Sequence, residues 1–67
     1  MRYFNNSLVQ VVDGQEMRYI EASCDSTEIK PTVGIVDGSQ ILETNTGDIY
    51  VFNELSGAWV RMFSLKE

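Results

Sequence analysis

The sequence contains no histidine and only one cysteine, Cys24, and these two absences exclude several kinds of chemistry. A single cysteine cannot form a disulfide within the chain. Without histidine or a second cysteine, the ligands of a closed structural zinc site are missing. Nucleophilic triads lack their usual base as well. We therefore expect a protein that is not an enzyme and that binds no cofactor.

Cys24 itself allows two interpretations. It could be a redox-active thiol, or it could be a small residue at the end of a strand. No basic residue stands next to it in sequence to lower its pKa, so we favour the structural role.

Positive charge is also scarce, since five basic residues stand against ten acidic ones and give a net charge of −5. The basic residues are scattered, so they form no stripe that would bind a phosphate backbone, and we expect no nucleic-acid partner. The acidic residues are equally dispersed and are interpreted as a solvated surface. No apolar run is long enough for a membrane span or a signal peptide. We therefore expect that the chain is made in a cytosol and does not associate with a membrane.

The chain of 67 residues forms a single domain, 1–67, with little room for a core. At roughly 1.5 kcal/mol of conformational entropy per residue, ordering it costs about 100 kcal/mol, which apolar burial only about matches. Small domains in this position use disulfides, metals or neighbouring subunits. With the first two excluded, association with other chains remains.

Apolar and polar residues alternate with period two, and the alternation breaks at glycines, which predicts an all-β fold. We expect a small antiparallel sheet or sandwich of about five short strands. Residues 1–22 form an N-terminal hairpin or docking arm, with strands at 8–12 and 15–22. Residues 23–38 are a connecting loop, with a helical first turn at 25–28 and a short strand or turn at 33–36.

Residues 39–65 are predicted to form a three-stranded meander with strands at 40–44, 48–53 and 58–64. Glycine and its neighbours favour the left-handed backbone that tight turns need. On this basis the turn-defining residues are Asp13, Gly14, Asp37, Gly38, Asn45, Gly47 and Gly57.

The last two predicted strands are apolar on both sides. Tyr50 and Phe52 alternate with aliphatic residues, and Trp59 and Phe63 are expected to share the face opposite Val60. Strands of this kind are usually buried on both faces. Either the N-terminal hairpin folds over one face and the other packs on a partner, or the surplus aromatic residues form an exposed binding patch. The predicted core or interface aromatics are Tyr50, Phe52, Trp59 and Phe63.

The order of motifs Lys30-Pro31, then 37–39 (Asp-Gly-Ser), then 43–53 (ETNTGDIYVFN), then Trp59 resembles a module of tailed-bacteriophage structural proteins. Members of that family carry "KP…DGS…E-(D/N)-TG-x-x-Y-x-(F/Y)" and a later tryptophan. The resemblance covers about residues 23–63, and Asn45 stands where aspartate is commoner. The N-terminal hairpin lies outside it.

The resemblance implies a virion protein made in the bacterial host cytoplasm, a capsid decoration or head-fibre component. Its partners would be other copies of itself, as a trimer or higher oligomer, and the major capsid protein. Three alternatives stay open: a tail or baseplate component, a carbohydrate-binding module that uses Trp59 and Tyr50 as a stacking surface, and a small early regulatory protein.

Overall fold

A computed structural model describes residues 1–65 and places them in one five-stranded sheet. The strands are β1 (Arg2–Val12), β2 (Gln15–Cys24), β3 (Gln40–Glu43), β4 (Asp48–Asn53) and β5 (Ala58–Ser64). They lie side by side in chain order, and none of the described residues is helical. The all-β prediction of about five strands is therefore confirmed. β1 begins earlier than the predicted strand at 8–12, because polar residues near the N-terminus also pair with β2.

Three of the four strand pairings are antiparallel, and the pairing between β2 and β3 is parallel. The parallel pair joins the N-terminal hairpin edge to edge with the meander. A parallel pair needs a crossover between its strands, and residues 25–39 supply it. The expectation that the hairpin folds over the meander is wrong, since both units lie in the same sheet.

The β1–β2 turn follows the sequence prediction closely. Asp13 and Gly14 have φ values of 50° and 81°, and Val12 pairs with Gln15 across them. Two consecutive positive φ angles are the requirement of a type I′ turn, whose twist matches that of the flanking strands. Of the other predicted turn glycines, Gly38, Gly47 and Gly57 also have positive φ.

Residues 25–39, which we call the covering segment, cross one side of the sheet. They start in a turn in which the Thr27 N–H donates to the Asp25 carboxylate and the Asp25 N–H donates to the Glu28 carboxylate. The Glu28 bond is one half of the reciprocal pair expected for a helix start, but the Asp25 carboxylate bonds Thr27 instead of the Glu28 N–H, and no helix follows. Further along, Ile35 forms an isolated parallel bridge with Arg18 of β2, where a short strand or turn was predicted.

Alternation along the strands gives the sheet two different faces. Side chains directly across from each other on paired strands share a face, so the register defines both sets. The covered face and the covering segment together hold the buried core of Ile20, Ala22, Cys24, Ile35, Ile41 and Phe52. The other side, which we call the open face, carries Leu42, Ile49, Val51, Val60 and Phe63.

A β-bulge in β5 places Phe63 on the open face. Tyr50 pairs with Arg61 and Ile49 pairs with Phe63, so Met62 is an extra residue without a partner of its own. A bulge of this kind interrupts the strict alternation of side chains. The expectation that Phe63 lies on the face of Trp59 is therefore wrong, because that expectation assumed an unbroken period of two.

The outer part of the β1–β2 hairpin projects beyond the rest of the sheet. β3 pairs with β2 only over residues 21–24, and we call residues 7–19 of the hairpin the arm. At Arg18 the covering segment adjoins the arm, because the Arg18 N–H donates to the Gly34 carbonyl and the Val36 N–H donates to the Arg18 carbonyl. All eleven residues of β1 are exposed. The molecule is accordingly elongated, with extents of 41 × 22 × 17 Å.

Candidate functional site

The residues that carry the family resemblance meet on the covered face, around a buried ion pair. Glu43, at the end of β3, is only 4% exposed. Its Oε2 accepts a hydrogen bond from Lys30 Nζ at 2.5 Å, and its Oε1 accepts one from Thr46 Oγ1 at 2.9 Å. Both carboxylate oxygens thus have partners, as a buried charge requires. The pair ties the covering segment to the sheet.

The Lys30 ammonium also lies over the ring of Tyr50, 4.5 Å from its centroid. The negative face of an aromatic ring attracts a cation at this distance. Burial acts to lower the pKa of Lys30, but the hydrogen bond and negative charge of Glu43 outweigh it, so that the pKa is raised. Lys30 is therefore a firmly protonated cation and not a candidate general base.

Trp59 makes a second link between the sheet and the covering segment. Its indole Nε1 donates a hydrogen bond of 2.8 Å to the Pro31 carbonyl oxygen. Its ring meets Phe52 edge to face, with centroids 5.1 Å apart and planes at 61°. Aromatic pairs favour this arrangement. The two residues of the suggested sugar-stacking surface, Trp59 and Tyr50, are thus both engaged in internal contacts.

Residues 37–39 of the resemblance, Asp-Gly-Ser, each have an internal role. The Asp37 carboxylate accepts from the Glu54 N–H at 2.8 Å, and the Glu54 carboxylate accepts from the Asp37 N–H at 3.1 Å. Gly38, at φ 87°, donates its N–H to the Phe52 carbonyl. Ser39 is fully buried, and its hydroxyl accepts from the Ile20 N–H at 3.1 Å.

The turn between β3 and β4 is held by hydrogen bonds to the covering segment and to the end of β3. Asn45 accepts from the Ser26 N–H at 2.9 Å and donates to the Ser26 hydroxyl at 2.7 Å. Gly47 has a φ of 78° and donates its N–H to the Glu43 carbonyl. Asn45 therefore fills the position of the commoner aspartate with a side chain that both accepts and donates.

The contacts of these residues indicate that the module specifies the fold. Within residues 1–65, no buried side-chain nitrogen or oxygen lacks a hydrogen-bond partner. A binding site for a polar ligand usually presents such groups unpaired. The charges of Lys30 and Glu43 were missed as a buried pair, because scattered charges in a short chain are usually solvated.

Cys24 lies buried at the end of β2, in the place expected of a structural residue. Burial raises the pKa of its thiol, and the nearby positive charge of Lys30 only partly offsets that effect. A buried thiol with a raised pKa is a poor nucleophile.

The open face has the character of an interaction surface. Among its side chains, Phe63 is 55% exposed and Val60 is 43% exposed. Beside them, Phe4, Leu42 and Ile49 help to line a shallow depression of about 190 Å³. No segment of the described chain lies over this face in the way that residues 25–39 lie over the other. The four predicted aromatics are thus divided, since Tyr50, Phe52 and Trp59 serve the covered face and Phe63 serves the open face.

The described residues show neither a metal-binding cluster nor a membrane-spanning helix. Residues 1–65 contain no group of three or more Cys, Asp or Glu side chains placed to hold a metal ion. In the same residues there is no helix that could cross a membrane.

No family model matches the chain, and neither a curated protein nor a solved structure shows significant similarity to it. The geometry of the open face is accordingly the main guide to function.

Proposed function

We propose that this chain is a non-enzymatic structural subunit of a bacteriophage particle, a capsid decoration or head-fibre component that binds copies of itself and the capsid. Two things support the proposal: the ordered motifs shared with phage structural proteins, and an apolar sheet face that the chain leaves uncovered. The uncovered face carries it, because an exposed apolar surface favours assembly whatever the sequence resembles.

Covering the open face would bury apolar side chains that the chain leaves partly exposed. On β3, β4 and β5 these are Leu42, Ile49, Val51, Val60 and Phe63, and a standard protein interface of about 800 Å² per partner would also include residues around them. Fully burying a side chain such as Phe63 or Val60 contributes about 1.5–3 kcal/mol. Residues 1–65 bury six hydrophobic residues, so covering this face would add substantially to the apolar area removed from water.

The charge distribution favours the same surface. The chain carries a net charge of −5, which opposes close approach of two copies at most orientations. On β3, β4 and β5 the open face carries apolar residues, and Glu21 lies on the same face beside β3 through its pairing with Gln40. Contact centred on β4 and β5 buries apolar area away from that charge.

The carbohydrate-binding alternative receives no support from the site. A stacking surface needs exposed aromatic faces, whereas the Trp59 indole is bonded to Pro31 and the Tyr50 ring lies beneath Lys30. A tail or baseplate location uses the same open face and differs only in the mounting point.

The test is a mass-spectrometric inventory of purified particles of the phage that encodes the chain, repeated with two variants. Phe63→Glu places a charge on the open face. Leu55→Glu places the same charge on an equally apolar side chain that is 99% exposed in the β4–β5 turn. We expect the wild type and Leu55→Glu on particles at many copies each, and at least a tenfold loss for Phe63→Glu. Absence of the wild-type chain from particles would disprove the proposal.

A further inference from the structure

β1 leaves one entire side of its backbone without a partner. It is the longest strand, Arg2–Val12, and it lies at the edge of the sheet with all eleven residues exposed. An unpaired edge of this length presents a row of N–H and C=O groups that another strand can complete. Beyond Arg18, residues 10–17 are paired only with each other. A two-stranded hairpin is marginally stable in water, so a further strand would stabilise this part of the arm.

β1 lacks most of the devices that keep sheet edges apart. It contains no lysine and no proline, and its only charged residue is Arg2. Apolar side chains occupy both of its sides, Leu8 and Val11 on the covered side and Val12 on the open side, each about half exposed. Its two irregularities, at Phe4 and Val9, lie on either side of Ser7 and leave the middle of the strand regular.

From these features we infer that β1 pairs antiparallel with β1 of a second copy across a two-fold axis at Ser7, which joins the two sheets into one of ten strands. The inference deepens the proposed function and rests on it for its biological meaning. It names the first partner of the subunit as the chain itself and the contact as a backbone ladder, distinct from the open face.

Charge selects a second β1 as the occupant of this edge. The molecule is acidic overall, yet β1 bears one positive charge and no negative one. In the antiparallel pair each Arg2 lies opposite Val12 of the other copy, and the two Arg2 residues are about 33 Å apart along the strands. Two copies can therefore meet here without the like-charge repulsion expected elsewhere on their surfaces.

The register follows from the side chains. A two-fold axis normal to the sheet keeps corresponding faces together, and the axis at Ser7 is the one that pairs all eleven residues of β1. It sets Tyr3 opposite Val11 of the other copy, twice, and both residues lie on the covered side according to their pairing with Ala22 and Glu16. An aromatic residue opposite a β-branched one is a favourable cross-strand pair.

Disulfide trapping at the axis tests the inference. In Ser7→Cys the two introduced thiols meet each other, and directly opposed residues of antiparallel strands have Cα atoms about 4.5–5.5 Å apart, within disulfide range. Asn5→Cys and Gln10→Cys are matched controls on the same strand and face. Their thiols lie about 13 Å and 20 Å from their symmetry mates. The wild type, whose Cys24 is buried, controls for the native thiol.

Under mild oxidation of the purified protein we expect Ser7→Cys to form a covalent dimer at least tenfold faster than either control. Equal rates at the three positions, or no dimer at Ser7→Cys, would overturn the inference.

Hydrogen exchange on the wild type checks the same contact without a mutation. Outward amides of β1 should gain protection as the protein concentration rises, and unchanged exchange would also overturn the pairing. Neither measurement involves phage particles. A chain that dimerises but is absent from virions would contradict only the proposed function, and a chain that is present on virions but shows no β1 contact would contradict only this inference.

Discussion

At the scale of single residues, the Lys30–Glu43 pair is the least expected feature of this protein. A buried ion pair is weak evidence for added stability, because desolvation of both charges cancels much of their attraction. Its geometry nevertheless fixes where the covering segment lies, since Lys30 must lie close enough to the end of β3 for its ammonium to bond Glu43. We interpret the pair as a device that specifies the path of residues 25–39.

Removing one partner should be far more costly than removing both. Glu43→Gln leaves the Lys30 ammonium buried without its counter-charge, and we expect a loss of about 2–4 kcal/mol in the free energy of unfolding. The double variant Lys30→Met with Glu43→Leu should recover most of that loss. Urea denaturation of the two variants and the wild type measures the difference.

The exposed pair between Glu16 and Arg18 supplies the control, because its N–O distance is 3.0 Å but both side chains are well exposed. Glu16→Gln should leave stability almost unchanged. Equal losses for Glu16→Gln and Glu43→Gln would show that burial of the Lys30–Glu43 pair has no energetic importance.

Stability is also expected to fall as the pH rises above about 9. Three groups have a raised pKa in the folded protein. Burial raises the pKa of Cys24 above its ordinary 9.0, and a hydrogen bond to Glu21 raises the pKa of Tyr19 above its ordinary 10.0. Burial lowers the pKa of Lys30, but Glu43 outweighs burial and the pKa lies above its ordinary 10.5. Each folded group keeps its proton at a pH where the unfolded chain has lost it. The stabilisation is complete below the unfolded pKa and is lost as the pH rises through the folded one.

Urea denaturation between pH 7 and 11, with reductant present, follows this effect. Tyr19→Phe removes one of the three groups and should make the decline shallower. A free energy of unfolding that stays level or increases over this range would contradict the claim that folding raises the pKa values of these three groups.

At the scale of elements, the sequence predicted local structure well and long-range structure poorly. Alternating residues and the Asp13-Gly14 turn were sufficient for the hairpin, because both signals are local. The parallel pairing of β2 with β3 leaves no local signal. The same holds for the bulge at Met62, which moves Phe63 to the open face. For the site, the sequence identified the aromatic residues. The face that each one occupies depends on the pairing of β4 with β5, which the sequence did not reveal.

The β3–β4 turn offers a test at this scale. Gly47 has a φ of 78°, a conformation that asparagine tolerates and β-branched residues resist. Gly47→Val should lower the free energy of unfolding by about 1–2 kcal/mol or more, and Gly47→Asn by clearly less. Thermal melting of the two variants compares them directly, and identical melting temperatures would show that the turn does not require positive φ.

At the scale of the whole molecule, the two faces of the sheet differ, because residues 25–39 cover one of them and leave the other open. The covered face holds the buried core, with satisfied polar groups in the described residues, and we propose the open face and the β1 edge as the surfaces that partners cover. A folded chain that assembles in this way gains stability from its partners.

The apparent stability should therefore depend on protein concentration. Binding that involves only the folded state raises the melting temperature as the concentration of the partner rises. We expect the melting temperature of the wild type to increase measurably between micromolar and millimolar concentration. A melting temperature that is constant over this range would indicate that the chain folds and remains alone.

The crossover between β2 and β3 also has a kinetic consequence. The two hairpins, β1–β2 and β4–β5, join residues close in sequence, whereas Glu21 must find Gln40 across the whole intervening segment. Closing the longer loop costs more entropy before any contact rewards it. The pairing of β2 with β3 is thus the last part of the sheet to form, and refolding buries Ala22 and Ile41 only after the two hairpins have closed.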